Sequence, residues 1–161
     1  MVARVDPQEG KAQILSILAD LRRNFGTALL LITHNLGIVA EACDRVAVMY
    51  AGQIVEEGDA RDVFSEPAHP YTQALLRSTI SLDTTALHSI APPNLITPPT
   101  GCRFHPRCPH AMRVCPEKLP LEETLDDGRR VYCWLHTPDD RVGSVDRRPL
   151  EREELAVAEE A

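Results

Sequence analysis

The 161-residue sequence has no apolar run approaching the roughly 18 residues that a membrane-spanning helix needs. Its longest, Ala28 to Ile32, runs straight into Thr33 and His34, so the chain is not expected to cross a bilayer. It has no surplus of basic residues either: 17 Lys and Arg stand against 24 Asp and Glu, a formal net charge of -7. That balance argues against a protein held to nucleic acid by phosphate contacts. Met1 to Lys11 contains Arg4, Asp6, Glu9 and Lys11 and no apolar core or small-residue cleavage site. No secretory leader is expected, and the reading is cytosolic. In a reducing compartment the five cysteines are thiols or metal ligands sooner than disulfides.

What is present is 43% apolar and 25% charged, the balance of a soluble globular chain with one modest core. Ile14, Ile17, Leu18, Leu21 and Phe25 recur at helical spacing, Arg22 and Arg23 sit where the helix dipole favours cations, and Gly26 offers a stop. An amphipathic helix is predicted over Gln8 to Phe25. Ala28 to Thr33 reads as a strand buried on both faces of a parallel sheet. Asn35 to Cys43 can form a short helix, Arg45 to Tyr50 a strand, and Ala51-Gly52 a tight turn into Gln53 to Glu57, a hairpin closed by Gly58. Asp59 can cap a helix through Phe64, and Pro70 can open another from Tyr71 to Ser78. The order α-β-α-β-β-α-α predicts an α/β fold over residues 1–79. Residues 80–100 turn to Ser, Thr and Pro and read as an extended linker. Residues 101–136 hold four of the five cysteines and read as a separate small unit, and 137–161 as a charged tail without recognisable chemistry.

The stretch Leu29-Leu30-Leu31-Ile32-Thr33-His34-Asn35-Leu36, followed by Cys43-Asp44-Arg45-Val46-Ala47-Val48-Met49-Tyr50-Ala51-Gly52-Gln53-Ile54-Val55-Glu56-Glu57-Gly58, resembles the C-terminal half of ABC transporter nucleotide-binding domains. Asp62 to Leu76, with its His69-Pro70-Tyr71-Thr72, is similar to the oligopeptide and dipeptide importer branch. Gly101-Cys102-Arg103-Phe104-His105-Pro106-Arg107-Cys108-Pro109 is similar to that branch's cysteine-rich end. The resemblance implies that His34 is the switch histidine that contacts the γ-phosphate of ATP and helps position the attacking water. Taken alone, a histidine after a buried strand is more often structural. Val5-Asp6-Pro7 looks like the D-loop, which would make Asp6 a nucleotide-site residue; its spacing to Gln13-Ile14-Leu15 is one residue longer than the branch's usual pattern, and Asp6 as a plain helix cap is the other reading.

Phosphoryl transfer needs a backbone cradle and a lysine for the phosphates, a carboxylate for magnesium, and a group to orient water. The sequence contains no G-x-x-x-x-G-K-[ST], no Ser-Gly-Gly signature turn and no apolar strand ending in paired acidic residues. The family places all of these upstream of the D-loop. The chain alone is therefore expected neither to bind ATP tightly nor to hydrolyse it. A truncated gene, a mis-called start or one half of a split subunit would account for that.

Cys102, Cys108, Cys115 and Cys133 have five, six and seventeen residues between successive members. Four thiolates converging from loops suit a [4Fe–4S] cluster, and the resemblance favours it. The spacing lacks the C-x-x-C knuckles of most structural zinc sites, which leaves zinc, or unligated thiols and disulfides, as alternatives. His105, His110 or His136 could replace one thiolate. Cys43, on the apolar helix after His34, reads as a packed structural thiol.

The resemblance implies a truncated energy-coupling subunit that pairs with a second ATPase subunit, sandwiches ATP at the interface and drives membrane permease subunits importing peptides. Its implied location is the cytoplasmic face of the inner membrane. The alternative is a stand-alone iron–sulfur or zinc module without ATPase activity.

Overall fold

The computed structural model describes residues 7–80 and 93–151, which fall into two units divided between Cys43 and Asp44. The N-terminal unit contains α1 (Pro7–Phe25) and α2 (Leu36–Ala42). α1 stops where the sequence predicts: Gly26 takes φ +61 and donates its N–H to the Arg22 carbonyl at 3.0 Å. The side chain of Asn35 caps α2 by accepting the Ile38 N–H at 3.3 Å.

Between these helices the expected buried strand does not form. Residues 26–33 are irregular, with Leu30 86% and Ile32 89% exposed. A strand buried on both faces exists only if other strands satisfy both of its edges and other elements cover its side chains. None of the described residues pairs with it. The sheet that does form is antiparallel throughout, so the parallel sheet inferred from Ala28 to Thr33 is corrected.

The C-terminal unit is built on that sheet, in the order β1-β2-β4-β3. β1 (Arg45–Tyr50) and β2 (Gln53–Asp59) form the hairpin, with Tyr50 opposite Gln53 and a register shift at Val48/Met49. Ala51 and Gly52 both take positive φ, +47 and +81, which suits the right-handed twist of a two-residue hairpin turn. Asp59 caps α3 (Ala60–Ser65) by accepting the Arg61 N–H at 3.0 Å, and α4 (Pro70–Ile80) opens on proline.

The cysteine-bearing segment is not separate from this hairpin. It contains a 3-10 turn (His105–Arg107), a short helix α5 (Val114–Glu117), and the strands β3 (Glu122–Thr124) and β4 (Arg130–Tyr132). β4 pairs with β2 through Glu56↔Val131 and Glu57↔Arg130. Phe104, 1% exposed, enters the hairpin core beside Val48, Tyr50, Val55 and Val63. Its ring lies 5.1 Å from that of Tyr50 and 5.5 Å from that of Tyr71. Neither stretch has enough apolar surface to close a core alone, and sharing one is the physical reason for the merger. The start of the tail, which includes the short helix α6 (Asp139–Val142), is tied in too: the Leu150 N–H donates to the Ala111 carbonyl at 2.9 Å and the Arg113 N–H to that of Arg148 at 3.0 Å. Among the described residues no helix is long and apolar enough to cross a membrane.

Candidate metal centre

Glycine and backbone geometry bring the first and third cysteines side by side. Gly101 has φ +61, and a Cβ there would lie 2.2 Å from the Cys115 carbonyl oxygen, so the chain passes against Cys115–Pro116 closer than any side chain allows. The Cys102 N–H donates to the Cys115 carbonyl at 2.8 Å, and the Thr100 hydroxyl to that of Pro116 at 2.8 Å. Cys102 and Cys108 bracket the 3-10 turn, where His105 N–H donates to the Cys102 carbonyl at 3.0 Å and Cys108 N–H to that of His105 at 3.2 Å. Cys133 follows β4 directly, next to the fully buried Val131.

The four thiols share one low-dielectric environment. Burial pushes Cys102 up to about 11, Cys108 and Cys133 up to about 12, and Cys115 in the same direction. Like-charge repulsion from neighbouring cysteine sulfurs adds to this at Cys102, Cys108 and Cys133. Each sulfur is also met by backbone N–H groups, which favour the thiolate: Phe104 and His105 at Cys102, His110 at Cys108, Leu135 at Cys133, and Met112 at Cys115, the last at 3.4 Å. Among the described residues no group of three or more His, Cys, Asp or Glu side chains has the geometry to hold a metal ion. All five cysteines are free thiols.

The three histidines considered as substitutes behave differently. His105 Nδ1 lies 2.8 Å from the Cys102 carbonyl, His136 Nε2 lies 3.0 Å from that of Ala68, and His110 is exposed. Of the nucleotide-site candidates, Asp6 lies outside the described residues, and His34 is exposed on a bend in the N-terminal unit. Cys43 is half-buried at the end of α2 and belongs to that unit.

Residues 55–115 match the family model described as the oligopeptide/dipeptide transporter C-terminal region. The chain carries the C-terminal region of an oligopeptide/dipeptide transporter ATP-binding protein. It is 48% identical over 128 residues to the oligopeptide transport ATP-binding protein OppD of Salmonella typhimurium, an alignment spanning 77% of this chain and 38% of that protein. It is 43% identical over 129 residues to the dipeptide transport ATP-binding protein DppD of Bacillus subtilis, spanning 78% and 38%. The chain thus spans about two-fifths of the length of these relatives, 38% in each case.

The matched region of this transporter family starts within β2 and runs through α3 and α4 to the third of the four cysteines. Sequence reasoning missed the polar residues that join these parts. Glu56 is fully buried on β2, where its carboxylate accepts the N–H groups of Ala68 at 2.8 Å and His69 at 2.9 Å. Arg129 Nη1 lies 3.4 Å from the same carboxylate and also donates to the Glu66 carbonyl, while its Nε donates to Asp127 at 2.7 Å. Gly58 lets the Arg129 side chain pass, since a Cβ there would meet its Cγ at 2.5 Å. The available signal was His69-Pro70-Tyr71, a motif standing immediately beside the helix start that Glu56 holds.

Proposed function

We propose that this chain serves as the C-terminal portion of the ATP-binding, energy-coupling subunit of a peptide importer, and that Cys102, Cys108, Cys115 and Cys133 hold a [4Fe–4S] cluster. The observation that supports the cluster reading is the proximity of four thiols, Cys115 and Cys133 buried and Cys102 and Cys108 half-buried, each met by a backbone N–H. Four thiolates packed together in low dielectric repel one another and are stable there only with a cationic centre. The N–H groups are of use to sulfur chiefly in its anionic state. Bound, the cluster would link residues far apart in sequence and supply stability that so small a unit lacks. Its role is a structural staple; zinc in the same thiols is the competing occupant.

In the assembled importer His34 would face the γ-phosphate of ATP with its magnesium, and Asp6 the nucleotide interface, with the partners a second ATPase subunit and membrane permeases at the cytoplasmic face of the inner membrane. The relatives' printed names support a role in oligopeptide or dipeptide transport. The 161 residues themselves contain no phosphate loop, so the chain alone turns over no ATP. Magnesium-dependent turnover by the pure chain that His34→Ala abolishes would overturn that statement. Anaerobic purification followed by iron, sulfide and zinc analysis tests the centre: equal iron and acid-labile sulfide are expected, and zinc without sulfide refutes the cluster.

A further inference from the structure

Cys102 and Cys115 are brought together by the main chain. The Cys102 N–H donates to the Cys115 carbonyl at 2.8 Å, and Gly101, at φ +61, lets the chain pass where a Cβ would lie 2.2 Å from that same carbonyl oxygen. Residues joined in this way hold their Cα atoms roughly 5–6 Å apart, as in a hydrogen-bonded strand pair. That lies inside the ~4.4–6.8 Å that a disulfide spans. The side chains share surroundings as well: Cys102 packs against the cluster of Met112, Val114, Cys115 and Trp134, and the charge of a Cys115 thiolate acts on the Cys102 thiol. Both are free thiols.

No other cysteine is placed this way. Among the described residues Cys102 shares a backbone hydrogen bond with no cysteine besides Cys115, two successive turns through His105 stand between it and Cys108, and Cys133 packs with Ala68 and Val131 in a different cluster. The pair is unequal in access: Cys102 is half-buried, so a small oxidant reaches it, whereas Cys115 is buried. The Met112 N–H, 3.4 Å from the Cys115 sulfur, favours the thiolate there. We propose that Cys102 and Cys115 form a redox switch, joining as a disulfide when the chain meets a hydroperoxide.

The Cys102 sulfur, as thiolate, attacks an oxygen of the hydroperoxide; the O–O bond breaks, leaving a Cys102 sulfenic acid and, from hydrogen peroxide, water. The Cys115 thiolate then attacks the Cys102 sulfur, the S–O bond breaks, and the oxygen leaves as water with the proton that Cys115 gave up. Two thiols and one hydrogen peroxide thus give one disulfide and two waters, two electrons passing from sulfur to oxygen. Burial that pushes the Cys102 thiol up to about 11 keeps its thiolate scarce at neutral pH, so the switch answers sustained oxidant and not a brief pulse. The inference goes beyond the cluster reading and needs no metal. Once oxidised, the chain no longer offers four thiolates to any centre.

The full chain, treated with chelator and shown free of iron and zinc, is exposed to hydrogen peroxide, capped with N-ethylmaleimide and digested with trypsin without reduction. Arg45, Arg103, Arg107, Arg113, Lys118 and Arg130 place the five cysteines on separate peptides. The expected product joins the peptide ending at Arg103 to Val114–Lys118, and the free thiols counted in denaturant fall by two from the original five. Cys108→Ser is expected to form the same link, and Cys115→Ser to leave Cys102 as a sulfenic acid that dimedone traps. The map of the parent decides even where a variant does not fold, and iron and sulfide analysis of the untreated anaerobic chain judges the cluster reading separately. Linkage of Cys102 to any cysteine other than Cys115, loss of thiols without a disulfide, or five thiols surviving excess peroxide overturns the inference.

Discussion

Glu56 is the residue whose replacement most directly tests how the unit is held together. Its side chain is completely buried, each carboxylate oxygen accepts one backbone N–H just ahead of α4, and Arg129 lies 3.4 Å away with its side chain 7% exposed. Glu56→Gln keeps the shape, one acceptor oxygen and one of the two N–H contacts. It turns the other oxygen into an NH2 group facing a donor, and it leaves Arg129 without its buried counter-charge. Losing one charge-assisted hydrogen bond costs about 1.5–3 kcal/mol, and breaking a buried ion pair from one side costs about 3–5 kcal/mol. The terms overlap, because the same oxygen makes both contacts, so about 3–4 kcal/mol is expected, a large share of the ~5–15 kcal/mol that holds a domain together. Urea unfolding followed through Trp134, the single tryptophan and 5% exposed, reads the change. In an Arg129→Met background the cost of Glu56→Gln should fall by at least about 1 kcal/mol, because the cation that keeps only its half-exposed partner Asp127 is gone and the N–H mismatch alone remains. A Glu56→Gln chain within about 0.5 kcal/mol of the parent, with unchanged m-value, would refute the reasoning.

Gly101→Ala is expected to destabilise by about 2–4 kcal/mol and to lower metal loading, since alanine is strained at φ +61 and its Cβ would overlap the Cys115 carbonyl; urea titration and iron analysis of the same sample check both. Phe104→Ala should cost about 3–5 kcal/mol by emptying the shared core, and its near-ultraviolet circular dichroism should lose the tyrosine signal from Tyr50 and Tyr71, which pack on that ring.

Local chemistry made the hairpin and its helices legible. Ala51-Gly52 marks the turn, Asp59 the cap of α3, Pro70 the first residue of α4, and all three signals act over a few residues. The strand expected at Ala28 to Thr33 failed because an apolar run reports only that burial would be favourable, and no described element supplies it. β4 was invisible for the opposite reason: at three residues, Arg130–Tyr132, it is too short to show alternation, and its pairing with β2 crosses more than seventy positions, as Glu56↔Val131 does. Glu56 itself reads as half of an acidic Glu56-Glu57 pair, ordinarily a solvated surface. Only its neighbour keeps to the rim, where Glu57 meets Arg45 at 3.1 Å and Arg130. The four cysteines could be named as a set from spacing, whereas the N–H groups around them depend on turns that spacing does not encode.

The merger of the two stretches changes what a bound centre would stabilise. Were residues 101–136 a detached unit, losing the metal would unfold them and leave the hairpin untouched. Cys102 and Cys108 instead pack against the core of Val48, Tyr50, Val55, Val63 and Phe104, and Cys133 sits beside Val131, whose strand completes the sheet at β2. Glu56 closes the circuit, since the carboxylate that borders β4 also fixes the backbone where α4 begins. Binding free energy gained at the thiols is therefore gained by the hairpin and α4 as well, because the states in which either part is unfolded lack the site. A staple placed there would hold the whole unit that begins at Asp44, and the hairpin that follows His34 in sequence would draw stability from Cys133, more than seventy positions beyond its end.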